Sequence, residues 1–183
     1  MRWQRLFDDL EGQAEQAAQS SLDAEIADRT RRELARVRLA DRLRAAGDRP
    51  VQMRVLGLGT VTGTVEAVGP DWVLLARGGG EIVVSSAAIM SATGLGSHAA
   101  APGSEGFVAG RLGLGYALRR IARDRSAVIV TVTDGSTLRG VVERVGADAF
   151  DLADHSADAG RVDAGPHAQT IPFAALAAVQ LTL

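Results

Sequence analysis

Short runs in which apolar and polar residues alternate fill most of the chain after residue 50, and glycine-rich turns separate them. A period of two residues is typical of a half-buried β-strand, and glycine clusters mark the turns between strands. The pattern therefore predicts two sets of five strands. The first set is 51–56, 61–68, 72–76, 81–85 and 88–92, and the second is 127–133, 138–145, 149–153, 169–173 and 175–182.

The two sets of strands are copies of one sequence. Residues 51–76 match residues 128–153 without a gap at an offset of 77, with identical pairs such as Gly63/Gly140. The fourth strand matches only at an offset of 87, so the loop before it is ten residues longer in the second copy. Because chance rarely gives such agreement in so short a window, we expect a small domain that was duplicated.

Apolar residues at helical spacing predict a long N-terminal arm, either one helix over residues 3–46 or two helices broken near residues 20–21. A further helix, residues 108–124, precedes the second set of strands. The predicted domains are a helical arm at 1–49, a first strand domain at 50–93, a flexible linker at 94–107, and a helix with the second strand domain at 108–183.

Composition excludes several kinds of chemistry. The chain has no cysteine, so it forms no disulfide, thiolate metal site or cysteine nucleophile. All 20 basic residues are arginine, which excludes a Schiff-base or P-loop lysine and is typical of high-GC bacteria such as actinobacteria. The net charge of −2 shows no general preference for nucleic acid or membrane. No signal peptide or apolar run of about 18 residues is present, which predicts a cytoplasmic protein.

Several residues of the second copy follow a known order of elements. They are Leu118-Arg119-Arg120-Ile121, Asp134-Gly135, Gly140, Val145, Leu152 and Ile171-Pro172-Phe173. This order of a helix and five strands, with a glycine inside the second strand, resembles the Sm-like fold of Sm and LSm proteins. The resemblance implies an α+β fold: a long N-terminal helical arm, then two Sm-like five-stranded antiparallel small β-barrels, each preceded by a helix. The chain departs from the Sm pattern at the base-binding positions. It has Gly146 and Phe150 near the positions where Sm proteins typically carry the Asp and Asn that help to hold a base.

Residues that carry catalysis or bind metals do not converge in the sequence. His98, His155 and His167 lie in loops rich in glycine and alanine, and none has a partner at zinc-site spacing. The acidic residues between 148 and 163 match no calcium loop, and Gly57-Leu58-Gly59 lacks the spacing of a dinucleotide loop. We therefore expect no catalytic residue, no metal and no cofactor, and a protein that is not an enzyme.

Arginine clusters on the two predicted helices are the most informative chemical feature. The candidate nucleic-acid-binding residues are Arg31, Arg32, Arg36, Arg38, Arg111, Arg119, Arg120 and Arg123. Arginine side chains on one helix face contact phosphates readily, although aromatic residues for base stacking are scarce at 4% of the chain. The alternative without a binding function is that these arginines face solvent and form ion pairs with nearby acidic residues.

An apolar stripe at the N-terminus is the candidate protein-interaction site. It consists of Trp3, Leu6, Phe7 and Leu10, at the spacing of one helix face.

The sequence as a whole predicts a non-enzymatic binding module that contacts RNA or other nucleic acid weakly through its arginine helices. The alternative is a protein-interaction scaffold or oligomerising adaptor that uses the N-terminal helix and the barrel edges. The expected partners are nucleic acid, the chain itself as a homo-oligomer, or another protein, and not a membrane.

Overall fold

Alternating side chains give the strands of this protein a buried face, as the strand Pro50–Val55 shows. Val51, Met53 and Val55 are buried, and the residues between them are exposed. Successive side chains of a strand point to opposite faces, so every second residue reaches the core. The computed structural model describes residues 16, 19, 21–78, 80–101, 112–154 and 168–181.

The strands lie close to their predicted ranges. The first copy contains β1 (Pro50–Val55), β2 (Gly59–Val68), β3 (Trp72–Arg77), β4 (Gly80–Ser85) and β5 (Ile89–Thr93). The second copy contains β6 (Ala127–Val132), β7 (Thr137–Val145), β8 (Ala149–Asp154), β9 (Gln169–Pro172) and β10 (Leu176–Leu181). The described helices are α1 (residues 21–34), α2 (Leu39–Arg44) and α3 (Leu114–Asp124).

All ten strands belong to one antiparallel sheet with the order β5-β1-β2-β3-β4-β10-β6-β7-β8-β9. Each copy has the same internal order, in which the fifth strand pairs with the first. The registers repeat as well: Val51 pairs with Gly63 in the first copy, and Val128 pairs with Gly140 in the second. The duplication predicted from the sequence is therefore present in the strand pairing.

The prediction of two closed five-stranded small β-barrels is wrong. Closure of a barrel would require the fourth and fifth strands of one copy to pair with each other. Instead β4 of the first copy pairs with β10 of the second, and among the described residues the sheet is open at β5 and β9. The reason is that an edge strand needs a partner for its backbone groups, and the other copy provides it.

The prediction of a long helical arm is also wrong. Helix α1 ends at residue 34, and residues 35–38 form a turn and extended chain before the six-residue helix α2. Packing on the sheet determines where α2 lies, because Leu43 is 1% exposed and belongs to the core. Leu34, one of the apolar residues at helical spacing that predicted the arm, is 65% exposed on α1. Tertiary packing has overridden local helix propensity here.

The chain divides into two compact units, Met1–Arg38 and Leu39–Leu183, and all the strands belong to the second unit. Two mainly aliphatic clusters form the core of that unit, one centred on each copy. Helix α3 contributes Leu114, Leu118 and Ile121 to the second cluster from one of its faces. None of the described helices has the length and apolar character that crossing a membrane would require.

The turn between β6 and β7 contains Asp134-Gly135, a pair that is typical of a tight β-hairpin. Gly135 has a φ of 92°, a conformation that glycine adopts without a steric penalty. The Ser136 hydroxyl donates a hydrogen bond to Asp134 Oδ1 at 2.7 Å, and the Ser136 amide donates to the same oxygen at 2.8 Å. These hydrogen bonds lower the pKa of the Asp134 carboxyl below its usual value.

Two equivalent glycines are required by close approach of the neighbouring strand. A Cβ at Gly63 would overlap the carbonyl oxygen of Ala76, and a Cβ at Gly140 would overlap that of Ala153. Both glycines precede a β-bulge in the second strand of their copy. The strand bends here because its backbone approaches the third strand more closely than any side chain allows.

Gly140→Ala should lower the free energy of unfolding by about 3 kcal/mol, because the added methyl group overlaps backbone atoms that cannot move alone. Gly63→Ala should have a similar effect in the first copy. Gly78→Ala is the matched control, because its Cβ would meet nothing within 4 Å. Urea denaturation measures all three variants, and a Gly140→Ala midpoint equal to that of Gly78→Ala would contradict the explanation.

Candidate functional site

The junction between the two copies is an edge-to-edge pairing of strands. Its register joins Ala178 to Val84, Val179 to Val83 and Gln180 to Ile82. Antiparallel backbone hydrogen bonds across such a ladder satisfy groups that would otherwise remain unpaired at a sheet edge. The pairing makes one sheet from two five-stranded units.

Side chains cross this junction and belong to the core of the opposite copy. Ala177 and Ala178 of β10 are part of the first aliphatic cluster, and Val83 of β4 is part of the second. Ala177 is 0% exposed and Ala178 is 1% exposed. Because burial of apolar surface is the main favourable contribution to association, the junction combines backbone pairing with hydrophobic contact.

The start of α3 makes a second contact across the junction. The Leu114 amide donates a hydrogen bond to Asp71 Oδ1 at 2.8 Å, and Trp72 Nε1 donates to the Leu112 carbonyl at 2.7 Å. The local N-cap residue is Gly113, which has no side chain to accept a bond from the helix amides. Asp71 of the first copy therefore caps a helix of the second copy, and its negative charge suits the positive end of the helix dipole.

A cleft of about 400 Å³ lies beside this contact. Residues that line it include Arg44, Trp72, Leu112, Tyr116 and Arg120. Arg44 is not a free cation, because its Nη1 lies 2.9 Å from Asp41 Oδ1. The cleft thus combines aromatic and apolar surface with one exposed arginine, Arg120.

The two outer edges of the sheet, β5 and β9, pair with only one neighbouring strand each among the described residues. On β5, Met90 is 59% exposed. On β9, Gln169 and Thr170 are exposed. Thr170 donates a hydrogen bond to Asp151 Oδ1 at 2.7 Å, and Arg144 Nε donates to Asp151 Oδ2 at 3.1 Å. Exposed strand edges of this kind accept further strands.

A second cleft, of about 570 Å³, opens at the β9 end of the sheet. Arg144, Val145, Ala149 and Phe150 contribute to its lining. At the offset of 77, Val145 corresponds to Val68, and Ala149 corresponds to Trp72. Val68 and Trp72 line the cleft at the junction. The surface that α3 borders at the junction therefore recurs, without a helix among the described residues, at the outer end.

The predicted nucleic-acid-binding arginines fall into two separate compact units. Arg119, Arg120 and Arg123 are exposed on α3 and have no ion pair with any described residue. Arg111 lies outside the described residues. The predicted protein-interaction stripe also lies outside them, and its members are Trp3, Leu6, Phe7 and Leu10.

The arginines of α1 form a surface of mixed charge. Arg31 Nη2 lies 3.8 Å from Asp28 Oδ1, and Arg32 forms an ion pair with the same carboxylate. Arg36 and Arg38 follow the helix, and both are exposed. Exposed pairs at this spacing contribute only about 0.3–0.5 kcal/mol each, but they offset part of the positive charge.

Among the described residues, no three His, Asp or Glu side chains gather in a group that would hold a metal ion. His98 is exposed in the segment after β5. His155 and His167 lie outside the described residues. The sequence pattern did not identify Asp71 as a capping residue or Met90 as an edge residue, because both roles depend on which strands become neighbours.

Comparison with known proteins identifies no relative: no family model, curated protein or solved structure matches this chain.

Asp71→Ala should lower the free energy of unfolding by about 1 kcal/mol, because the Leu114 amide loses its acceptor. Asp148→Ala is the matched control. Asp148 is the equivalent residue of the second copy, it is exposed, and its carboxylate has no hydrogen bond or ion pair with a described residue. Thermal or urea unfolding compares the two variants, and equal losses of stability would refute the capping role.

Proposed function

We propose that this protein is a non-enzymatic oligomerising adaptor whose free sheet edges take up strands of further copies. The β4–β10 junction is the single observation that carries the proposal. It is an example, within one chain, of two copies of the repeat joined edge to edge with a shared core. Assembly in the cytoplasm is part of this proposal, and it is consistent with the lack of a membrane-spanning helix among the described residues.

The exposed side chains of β5 support the proposal. Met90 stands at a β-bulge, because the register of β1 and β5 shifts between the pairs Arg54–Ser91 and Val55–Ile89. Ala177 stands at the corresponding bulge of β10, where it is fully buried by the junction. Met90 is thus a large apolar residue that is exposed at an edge, whereas its equivalent in the joined strand is buried. This difference favours a surface that becomes covered when another strand pairs with β5.

The oligomerising function predicts that Met90→Arg weakens self-association more than tenfold. A charge at the position equivalent to Ala177 would be buried without a partner, at a cost of several kcal/mol. Met90 is exposed in the single chain, so the variant should fold normally. Analytical ultracentrifugation over a range of protein concentrations measures the change in assembly.

Thr62→Arg is the control for this experiment. Thr62 is exposed on β2, which has a neighbouring strand on each side and is therefore not an edge of the sheet. Assembly of Thr62→Arg should match that of the wild type. A wild-type protein with the mass of one chain at every concentration would exclude the proposed function, and so would a Met90→Arg variant that assembles normally.

Contact with nucleic acid is a second candidate function, favoured by the exposed arginines of α3. Arg119, Arg120 and Arg123 have no ion pair with any described residue, so their charges are available to phosphates. Helix α2 of the same unit also carries Arg42 and Arg44, but Arg44 forms an ion pair with Asp41.

Replacement of Arg119, Arg120 and Arg123 by Glu should abolish binding of a short labelled single-stranded RNA. Wild-type binding should weaken steeply between about 50 and 200 mM salt, because each phosphate contact releases counterions. The control variant replaces Arg54, Arg77 and Arg139 by Glu. These arginines are exposed on strands, so the net charge changes equally, and this variant should still bind RNA. Fluorescence anisotropy measures both. Equal losses of binding would indicate a net-charge effect, and no wild-type binding at about 50 mM salt would exclude this function.

A further inference from the structure

We infer that copies of this chain join head to tail: β9 of one copy pairs antiparallel with β5 of the next. The inference rests on the proposed oligomerising function and names the partner of each edge. The internal junction joins a fourth strand, β4, to a fifth strand, β10. The two strands left free are the complementary pair, since β9 is a fourth strand and β5 is a fifth strand.

The equivalence of the two copies fixes the register of this pairing. At the offset of 87, β4 corresponds to β9 and β5 corresponds to β10. The pairing between the fifth and first strands supports these offsets. Ala92 pairs with Met53 in the first copy, and the equivalent residues Val179 and Val130 pair in the second copy. Transfer of the internal register gives three pairs between chains: Ser91 with Ile171, Ala92 with Thr170, and Thr93 with Gln169.

The second contact of the junction also has a counterpart at the outer end. At the junction, Leu112 and Tyr116 border the cleft beside Trp72. Helix α2 contacts β2 of its own copy as α3 contacts β7 of its copy. In a head-to-tail assembly α2 of the next chain would therefore border the open cleft at Val145 and Ala149. A pairing of two β5 edges or two β9 edges would leave this cleft without a helix.

The outer junction should be weaker than the internal one. Gln169 and Thr170 of β9 stand where β4 has Ile82 and Val83, which are 1% and 5% exposed. Less apolar surface is therefore removed from water, and the assembly should dissociate on dilution. Pro172 has no amide hydrogen, but it lies beyond the three pairs and costs none of their hydrogen bonds.

Cysteine cross-linking tests both the polarity and the register, because the chain has no cysteine of its own. One test mixes the single variants Ala92→Cys and Thr170→Cys, and a second mixes Thr93→Cys and Gln169→Cys. Facing residues of an antiparallel pair have Cα atoms about 4.5–5.5 Å apart, which lies within the Cα range of a disulfide. Two adjacent pairs are needed because hydrogen-bonded and non-hydrogen-bonded pairs alternate, and disulfide geometry differs between them. The two pairs also protect the test against one variant that fails to fold.

Mild oxidation should give disulfide-linked dimers in each mixture, but not in either single variant alone. The yield should exceed that of a mixture of Ala92→Cys with Thr62→Cys at least about tenfold, since pairing raises the effective concentration of the two thiols. Thr62 is exposed on the interior strand β2 and makes the control. The double variant Ala92→Cys/Thr170→Cys should form multiples larger than a dimer.

Cross-linking of Ala92→Cys or Thr170→Cys with itself, and not in the mixture, would overturn the head-to-tail arrangement and leave the oligomerising function intact. Association by ultracentrifugation without any of these cross-links would also overturn it. A wild-type protein that remains a single chain at every concentration would remove the proposed function together with the inference.

Discussion

Backbone hydrogen bonding between β4 and β10 is the interaction on which the structure depends. Without it, each copy would have two unpaired strand edges, and a small aliphatic core would have to stabilise five strands alone. With it, one sheet spans both copies and Ala177 and Ala178 reach the core of the first copy. Pairing and hydrophobic burial occur at the same place, so neither copy forms its complete core without the other.

The link between the copies extends beyond the sheet. Asp71 accepts a hydrogen bond from the first amide of α3, and Trp72 donates one to the segment just before that helix. The helix in turn packs Leu118 and Ile121 into the second core. A residue of the first copy thus stabilises an element of the second. The turn Gly69-Pro70-Asp71 connects two strands and also provides the carboxylate that caps α3.

Much of the fold could be predicted from the sequence, because alternation and glycine positions report local geometry. The ten strands, the repeat and the need for a glycine at positions 63 and 140 all follow from such local signals. The choice between closed barrels and one open sheet could not be predicted. A fourth strand buries the same alternate residues whether its edge meets its own fifth strand or that of the other copy. The sequence pattern is identical in the two cases.

The candidate site was predicted less well for the same reason. Arg119, Arg120 and Arg123 are exposed, as charged residues on a helix face usually are, but their contact with nucleic acid stays a prediction. The partners of Arg31 and Arg32 on Asp28 depend on side-chain geometry within the helix. The role proposed for Met90 depends on a neighbour in another chain, and the sequence of one chain has no pattern that indicates such a neighbour.

The chain connection between the two repeats changes what each of their joints requires. A joint between segments of one polypeptide forms at an effective concentration in the millimolar range, so modest contacts suffice to keep it closed. The joint proposed at the outer edges would have no such tether, so its occupancy would depend on the concentration of the protein. In that assembly the internal joint would stay closed while the outer joint opens and closes, and each chain would add or remove two repeats together.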